Sequence, residues 1–250
     1  MADTPPATAT LDALRAEIDA CDDALHALLM RRAAVVARLA ASAAKPTGTV
    51  LRPGREAAIL GRLLAAHRGA LPPAALVRIW REVFASSHAQ QADFQLAVAG
   101  GAEIERLAAA HFGVGTPQQA WTDAAAALAA LATGEAAVAV LPWPDAREAA
   151  PWWPGLEAQV IARLPFLEDG PAGPRAAVVA RYPADASGRD VTLFRLPRGA
   201  PAPAGARRIA EAPDAGLILY ESEAEPPAEA APLGRYALPD LSAPPGAPRA

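Results

Sequence analysis

The chain of 250 residues has very little cysteine and no long apolar run. Its one cysteine, Cys21, allows no internal disulfide and no cysteine-based metal cluster. No stretch of about 18 strongly apolar residues is present, which argues against a membrane span. Residues 1–10 lack the basic and apolar segments of a secretory signal. We therefore expect a cytoplasmic protein that does not associate with membranes.

Lysine is almost absent, and the overall charge is weakly negative. Lys45 is the only lysine beside 22 arginines, and the net charge is −4. A nucleic-acid-binding protein normally carries a basic surface, so we expect no nucleic-acid partner. Residues 1–93 nevertheless hold 11 basic and 9 acidic residues, and this mild excess suits a small anionic ligand.

Residues 1–93 are predicted to be all-helical. From Leu11 onward, apolar residues recur at spacings of three and four, with Thr10 as a plausible N-cap and no proline before Pro46. This pattern predicts a helix of about 33 residues, roughly 50 Å long. Further helices are predicted over 55–68 and from 72 to about 91. Because so long an apolar stripe needs a partner, we expect an intertwined homodimer of three-helix chains.

After residue 93 the pattern changes to an alternation of short strands and helices. It predicts an α/β domain over 94–220, with strands at 94–99, 136–141, 159–162, 176–180, 191–196 and 216–220, and helices at 102–112 and 123–131. Residues 221–250 are rich in Pro, Ala and Glu, which predicts a disordered tail.

Several polar residues occupy regular places in the helical part. Arg15 and Arg32 lie seventeen residues apart on the first helix, or about 25 Å, which is too far for one small ligand to reach both within one chain. An antiparallel partner would bring one chain's Arg15 beside the other's Arg32. Arg55 and Glu56 open the second helix, and Ser87 and Gln91 lie one turn apart on the third.

Together these residues resemble those of the all-helical chorismate mutases, which are often fused to prephenate dehydratase in bacteria. The resemblance rests on four motifs: Leu-Asp-Ala-Leu-Arg-Ala-Glu-Ile-Asp at 11–19, Leu-Leu-Met-Arg-Arg at 28–32, Arg-Pro-Gly-Arg-Glu at 52–56, and Ser-x-x-x-Gln at 87–91. It implies an isomerase of aromatic amino-acid biosynthesis, serving phenylalanine and tyrosine. Chorismate and prephenate would be its substrate and product.

The family's reaction is a pericyclic rearrangement, which needs no nucleophile, metal or cofactor. It is helped by holding a dianion in its reactive conformer and by stabilising charge on the ether oxygen. By resemblance, the partner chain's Arg15 and this chain's Arg32 bind the two carboxylates with help from Ser87. The resemblance further implies that Arg55 contacts the substrate or orients Glu56, whose carboxylate accepts the substrate hydroxyl. Gln91 donates to the ether oxygen.

The sequence departs from the family at one site position. Ala43 stands where the family has a lysine that also bonds the ether oxygen, and Lys45 lies two residues further on. Losing such a donor typically costs about 2.7–4 kcal/mol of transition-state stabilisation, so weak activity is expected unless Lys45 takes over. Ser86 and Gln90 repeat the four-residue spacing and leave a one-residue shift in register open. The four histidines, His26, His67, His88 and His111, share no metal-ligand spacing, and we expect them at the surface or half-buried.

The second half resembles a prephenate dehydratase domain more faintly. Pro142 is followed by Trp143-Pro144-Asp145 where that family has Glu-Asn-Ser, and Pro174 stands in place of its reactive threonine. These changes imply a degenerate, catalytically inactive domain. Two alternatives remain: a related lyase acting on isochorismate, and a non-catalytic dimer that binds a small molecule or regulates a partner enzyme.

Overall fold

The computed structural model describes residues 10–42, 51–91, 94–145, 150–168 and 173–239. The chain divides into two compact units, residues 1–48 and 49–250. This division does not coincide with the predicted boundary between residues 93 and 94. The second and third helices belong to the unit that contains the β-sheet, and the first helix stands in a unit of its own.

The first unit consists of helix α1, Leu11–Ala41. The hydroxyl of Thr10 accepts a hydrogen bond from the amide of Ala13 (3.3 Å), which confirms the predicted N-cap. With 31 residues the helix is close to its predicted length. No residue of α1 is buried, and the large apolar side chains of its stripe other than the half-buried Val36 are 45–63% exposed.

The second unit contains four α-helices, one short 3-10 helix and nine strands among its described residues. The α-helices are α2 (Pro53–Ala66), α3 (Pro73–Ala89), α4 (Ala102–Phe112) and α5 (Ala124–Thr133), and the 3-10 helix is Pro213–Ala215. The strands are β1 (Leu96–Ala99), β2 (Gln118–Trp121), β3 (Val138–Pro142), β4 (Gln159–Leu164), β5 (Ala176–Ala180), β6 (Asp190–Pro197), β7 (Arg207–Ala212), β8 (Leu217–Ser222) and β9 (Ala231–Ala237). Within the described ranges, none of the helices combines the length and the apolar character that crossing a bilayer requires.

All nine strands join one mixed sheet in the order β2-β1-β3-β5-β4-β9-β6-β8-β7. Strand β1 is parallel to both β2 and β3, and β4 is parallel to β9, while the other neighbours are antiparallel. Strands β1 and β5 are buried along their whole length, as expected for strands covered on both faces. One core cluster contains side chains of α4 and another contains side chains of α5. The predicted α/β class is therefore confirmed, whereas strands β2 and β7 had no clear sequence signal.

The prediction of a disordered segment from residue 221 is wrong for Ala231–Ala237. These residues form β9 in the middle of the sheet, between β4 and β6. Gly234 makes the insertion possible because a Cβ at this position would lie 2.1 Å from the carbonyl oxygen of Val160. A segment rich in proline and alanine thus forms a strand because its one glycine lets the backbone of β4 approach closely. Residues 240–250 lie outside the described part of the chain.

Candidate functional site

The two arginines of the first helix lie on α1 as predicted. Arg15 is exposed, and its Nη1 lies 3.4 Å from Oδ1 of Asp12. Arg32 is half-buried. At a rise of 1.5 Å per residue, about 25 Å of helix separates them, so a single α1 does not bring them together. Lys45 and Ala43 lie outside the described residues.

Arg55 and Glu56 lie in the first turn of α2, as the sequence predicts, and point to different environments. Arg55 is exposed, whereas Glu56 is buried. Oε2 of Glu56 accepts a hydrogen bond from Nη1 of Arg81 (2.9 Å). Nε2 of His88 lies 2.8 Å from the other carboxylate oxygen, Oε1, yet Oε1 has no hydrogen-bond partner of acceptable geometry among the described residues. One oxygen of this carboxylate is therefore held, and the other remains a buried acceptor.

The N-terminus of α2 is held by an acid from the loop between β5 and β6. Asp185 accepts hydrogen bonds from the amides of Gly54 (2.9 Å) and Arg55 (3.2 Å), and from Nε of Arg52 (3.1 Å). A carboxylate at this position satisfies two amides that a helix leaves unpaired and complements the positive end of the helix dipole. Asp185 thereby fixes the turn that carries Arg55 and Glu56.

Ser87 and Gln91 lie at the C-terminal end of α3 and just beyond it. Ser87 is buried, and its hydroxyl donates to the carbonyl of Val83 (2.7 Å). Gln91 is half-buried, and its Nε2 donates to the carbonyl of Ser87 (2.8 Å). Ser86 and Gln90, which give the alternative register, are both exposed. The inward orientation therefore belongs to the pair at 87 and 91.

Arg81 and His88 form a buried polar cluster with Glu56 that sequence analysis did not assign to the site. Arg81 is 4% exposed, and its guanidinium lies over the rings of Phe84 (5.9 Å) and Phe166 (5.4 Å). Desolvation lowers the pKa of Arg81, and the charge of Glu56 opposes this shift. One signal in the sequence could have revealed this cluster. Arg81 interrupts the apolar stripe of α3, and a charged residue at such a position needs a buried partner.

The charged groups of this cluster also shift the pKa values of neighbouring side chains. Desolvation, then the charge of Arg81 and then that of His88, hold the pKa of His111 well below its ordinary value. Burial and the charge of Glu56 raise the pKa of Tyr182 to about 12. The expectation that the histidines lie at the surface or half-buried is wrong for His88, which is buried. No group of three or more His, Cys, Asp or Glu side chains in the described part of the chain could hold a metal ion.

The two segments compared with prephenate dehydratase lie side by side. Strands β3 and β5 pair so that Pro142 is opposite Ala176, and the amide of Trp143 donates to the carbonyl of Arg175 (2.9 Å). Arg175 in turn donates two hydrogen bonds to Glu168 (2.8 and 3.0 Å). The side chain of Arg175 is therefore engaged in a bidentate ion pair.

A cavity of about 120 Å³ lies between α3, α4 and residues 165–167. Apolar side chains form most of its wall, and Arg78, Arg81 and His111 are its polar lining residues. None of Arg55, Glu56, Ser87 and Gln91, the predicted site residues described in this unit, lines the cavity.

Residues 14–92 match the family model described as chorismate mutase type II. The match covers about a third of the chain: helix α1 from residue 14 onward, helices α2 and α3, and every residue assigned to the site from the sequence. It supports an all-helical chorismate mutase domain at 14–92.

Among solved structures, the chain is similar to one titled "GqqA- a novel type of quorum quenching acylases". The two share 15% identity, and the alignment covers 60% of this chain and 98% of that one, with a TM-score of 0.42. So low a score supports no conclusion about fold or activity. No curated protein matches the chain.

Proposed function

We propose that residues 14–92 form a chorismate mutase that converts chorismate to prephenate. The observation that carries the proposal is the match of these residues to the type II chorismate mutase family. It is supported by the residue types at the site, since arginine forks bind carboxylates bidentately and chorismate carries two. A pericyclic reaction requires positioning and charge stabilisation, which such side chains supply.

The roles follow from the resemblance and are supported in part by the geometry. Arg15 of a partner chain and Arg32 bind the two carboxylates, with Ser87 helping to hold one of them. Arg55 contacts the substrate or orients Glu56. Gln91 donates to the ether oxygen, and Lys45 substitutes for the family lysine that Ala43 replaces.

Glu56 has the property that its role demands. Its Oε1 is buried and, with Nε2 of His88 2.8 Å away, has no hydrogen-bond partner of acceptable geometry among the described residues, so it can accept a hydrogen bond from a substrate hydroxyl. The ion pair of Oε2 with Arg81 orients the carboxylate. A buried unpaired acceptor is costly, and a substrate hydroxyl would remove that cost.

The site requires a second chain, and we propose a homodimer with shared active sites. The exposed apolar stripe of α1 supports this proposal, because a 31-residue amphipathic helix needs a surface against which to bury it. An antiparallel partner would place one Arg15 near the other Arg32.

The test is product formation from chorismate by the purified full-length chain, with prephenate identified by chromatography. We expect conversion by the wild type and at least a hundredfold loss in Gln91→Ala and Arg32→Ala. Arg62→Ala serves as the control, because Arg62 is exposed on α2 and has no partner among the described residues. Loss of activity in Lys45→Ala would assign the family lysine's role to Lys45. If the wild type turns over no chorismate above background, the proposal is wrong.

Two other functions are outcomes of the same experiment. Turnover of isochorismate with release of pyruvate, in the absence of chorismate turnover, would identify a related lyase. Binding of chorismate without conversion would identify a non-catalytic regulator, which Ala43 favours because the family's cation is missing there.

We further propose that the α/β part is catalytically inactive, because Pro174 lacks a hydroxyl. It should therefore leave added prephenate unchanged.

A further inference from the structure

The cavity between α3, α4 and residues 165–167 is lined by apolar side chains and three basic residues. Its apolar lining residues include Val77, Leu107, Phe166 and Leu167. The cavity's lining contains no acidic residue. This combination differs from an ordinary packing gap, which would be apolar throughout.

Arg81 has more hydrogen-bond donors than acceptors around it. A guanidinium carries five N–H groups, and Arg81 uses one of them, from Nη1 to Glu56, among the described residues. The side chain is 4% exposed and its position is fixed by the rings of Phe84 and Phe166. Because Glu56 does not line the cavity and Arg81 does, the remaining donors are available to a molecule inside it.

Arg78 lies one turn before Arg81 on the same face of α3 and also lines the cavity. It is exposed and makes no ion pair or hydrogen bond within the described residues. His111 is the third basic lining residue, and its lowered pKa keeps its ring neutral near pH 7, so that it offers a hydrogen bond rather than a charge. Two cations and one neutral polar group thus converge on an apolar space.

We propose that this cavity binds a small organic carboxylate with an apolar body. The carboxylate accepts hydrogen bonds from Arg81 and Arg78, and the body contacts Val77, Leu107 and Phe166. A volume of about 120 Å³ corresponds to about four water molecules at roughly 30 Å³ each, which suits a small acid with a single ring. Arginine is suited to this role because its planar fork matches the geometry of a carboxylate.

This site is separate from the proposed chorismate site. Arg55, Glu56, Ser87 and Gln91, which we assign to chorismate conversion, do not line the cavity, and Arg81 is shared because it also orients Glu56. Arg78 lines the cavity and has no role in the proposed mutase site, so a variant of Arg78 tests binding here independently of mutase activity.

Isothermal titration calorimetry on the full-length chain tests the proposal, with benzoate and phenylacetate as probes. Benzamide is the matched neutral compound, and inorganic phosphate is an anion without an apolar body. We expect one of the two acids to bind once per chain, and benzamide and phosphate to bind at least tenfold more weakly. Equal affinity for benzoate and benzamide, or no binding of either acid at millimolar concentration, would overturn the proposal.

Three variants locate the bound acid. Arg78→Gln removes an exposed cation and should weaken binding about tenfold, whereas Arg62→Gln removes an exposed cation outside the cavity and should leave it unchanged. Leu167→Trp should fill the cavity and abolish binding, with folding checked by circular dichroism. Unchanged affinity in both Arg78→Gln and Leu167→Trp would place the ligand elsewhere and refute the assignment.

Discussion

Replacing Gly54 by alanine should destabilise the second unit, although the same change elsewhere in helix α2 should stabilise it. A Cβ on Gly54 would lie 2.0 Å from the carbonyl oxygen of Asp185 and 2.6 Å from its carbonyl carbon. The loop must move by at least about 1 Å to restore a normal contact, and this movement weakens the hydrogen bonds from the amides of Gly54 and Arg55 to Asp185. Gly61, in the same helix, has no atom within 4 Å of its added Cβ.

The expected magnitude follows from the two effects. Overpacking costs about 1–3 kcal/mol and loss of an N-terminal cap about 0.5–2 kcal/mol, against a gain of about 0.5–1 kcal/mol from replacing a helical glycine. Gly54→Ala should therefore lose about 2–4 kcal/mol, which lowers Tm by roughly 10 °C in a unit of this size. Gly61→Ala should gain about 0.5–1 kcal/mol.

Urea and thermal unfolding followed by circular dichroism measure both effects. Both variants replace glycine by alanine in helix α2, so helix propensity does not explain a difference between their stabilities. If Gly54→Ala is as stable as Gly61→Ala, then Asp185 does not hold the start of α2. The claim that Asp185 fixes the turn carrying Arg55 and Glu56 is then wrong.

The remaining predictions concern the buried cluster and the last strand. Arg81→Met should cost about 3–5 kcal/mol of unfolding free energy because it leaves the charge of Glu56 buried, and adding Glu56→Leu should restore most of that loss. Gly234→Ala should cost at least about 3 kcal/mol, because its Cβ would lie 2.1 Å from the carbonyl oxygen of Val160 at a φ of +145°. Between pH 8 and pH 5, the wild type should lose more stability than His111→Gln. The unfolded histidine takes up a proton below about pH 6.5, whereas the folded one, with its lowered pKa, does so only at lower pH.

Denaturant unfolding at fixed pH checks the first two of these predictions, and unfolding across the pH range checks the third. A double variant no more stable than Arg81→Met would show that the ion pair is not the source of the cost. An unaffected Gly234→Ala would contradict the close approach of β9 to β4. Parallel pH profiles for wild type and His111→Gln would show that the pKa of His111 is not lowered in the folded chain.

Elements with local signals could be predicted from the sequence. Thr10 and Asp123 accept hydrogen bonds from amides three residues ahead, and helices begin directly after both. Helix α4 and strand β5 were predicted at their observed bounds, because each is delimited by turn residues or proline. The apolar period also predicted α1 and the presence of two more helices before the sheet.

Contacts between distant residues could not be predicted in this way. Asp185 caps a helix 131 residues earlier, and Arg81 pairs with Glu56 across 25 residues, so neither leaves a local pattern. Strand β9 was missed because its composition resembles a disordered tail, whereas its stability comes from neighbours on both sides. For the site, residue types and spacing identified Glu56, but its buried partners Arg81 and His88 depend on the packing of α2 against α3.

The most direct test of the central claim is complementation between two inactive variants. Arg15→Ala and Gln91→Ala, each expected to be inactive alone, are unfolded together, refolded as a mixture and assayed for prephenate formation beside the wild type. If Arg15 serves the partner's site, half of the dimers are mixed and each carries one intact site, so the mixture should recover about a quarter of wild-type activity. Recovery at that level supports a chorismate mutase with shared sites. An inactive wild type, or a mixture no more active than its components, would contradict the account.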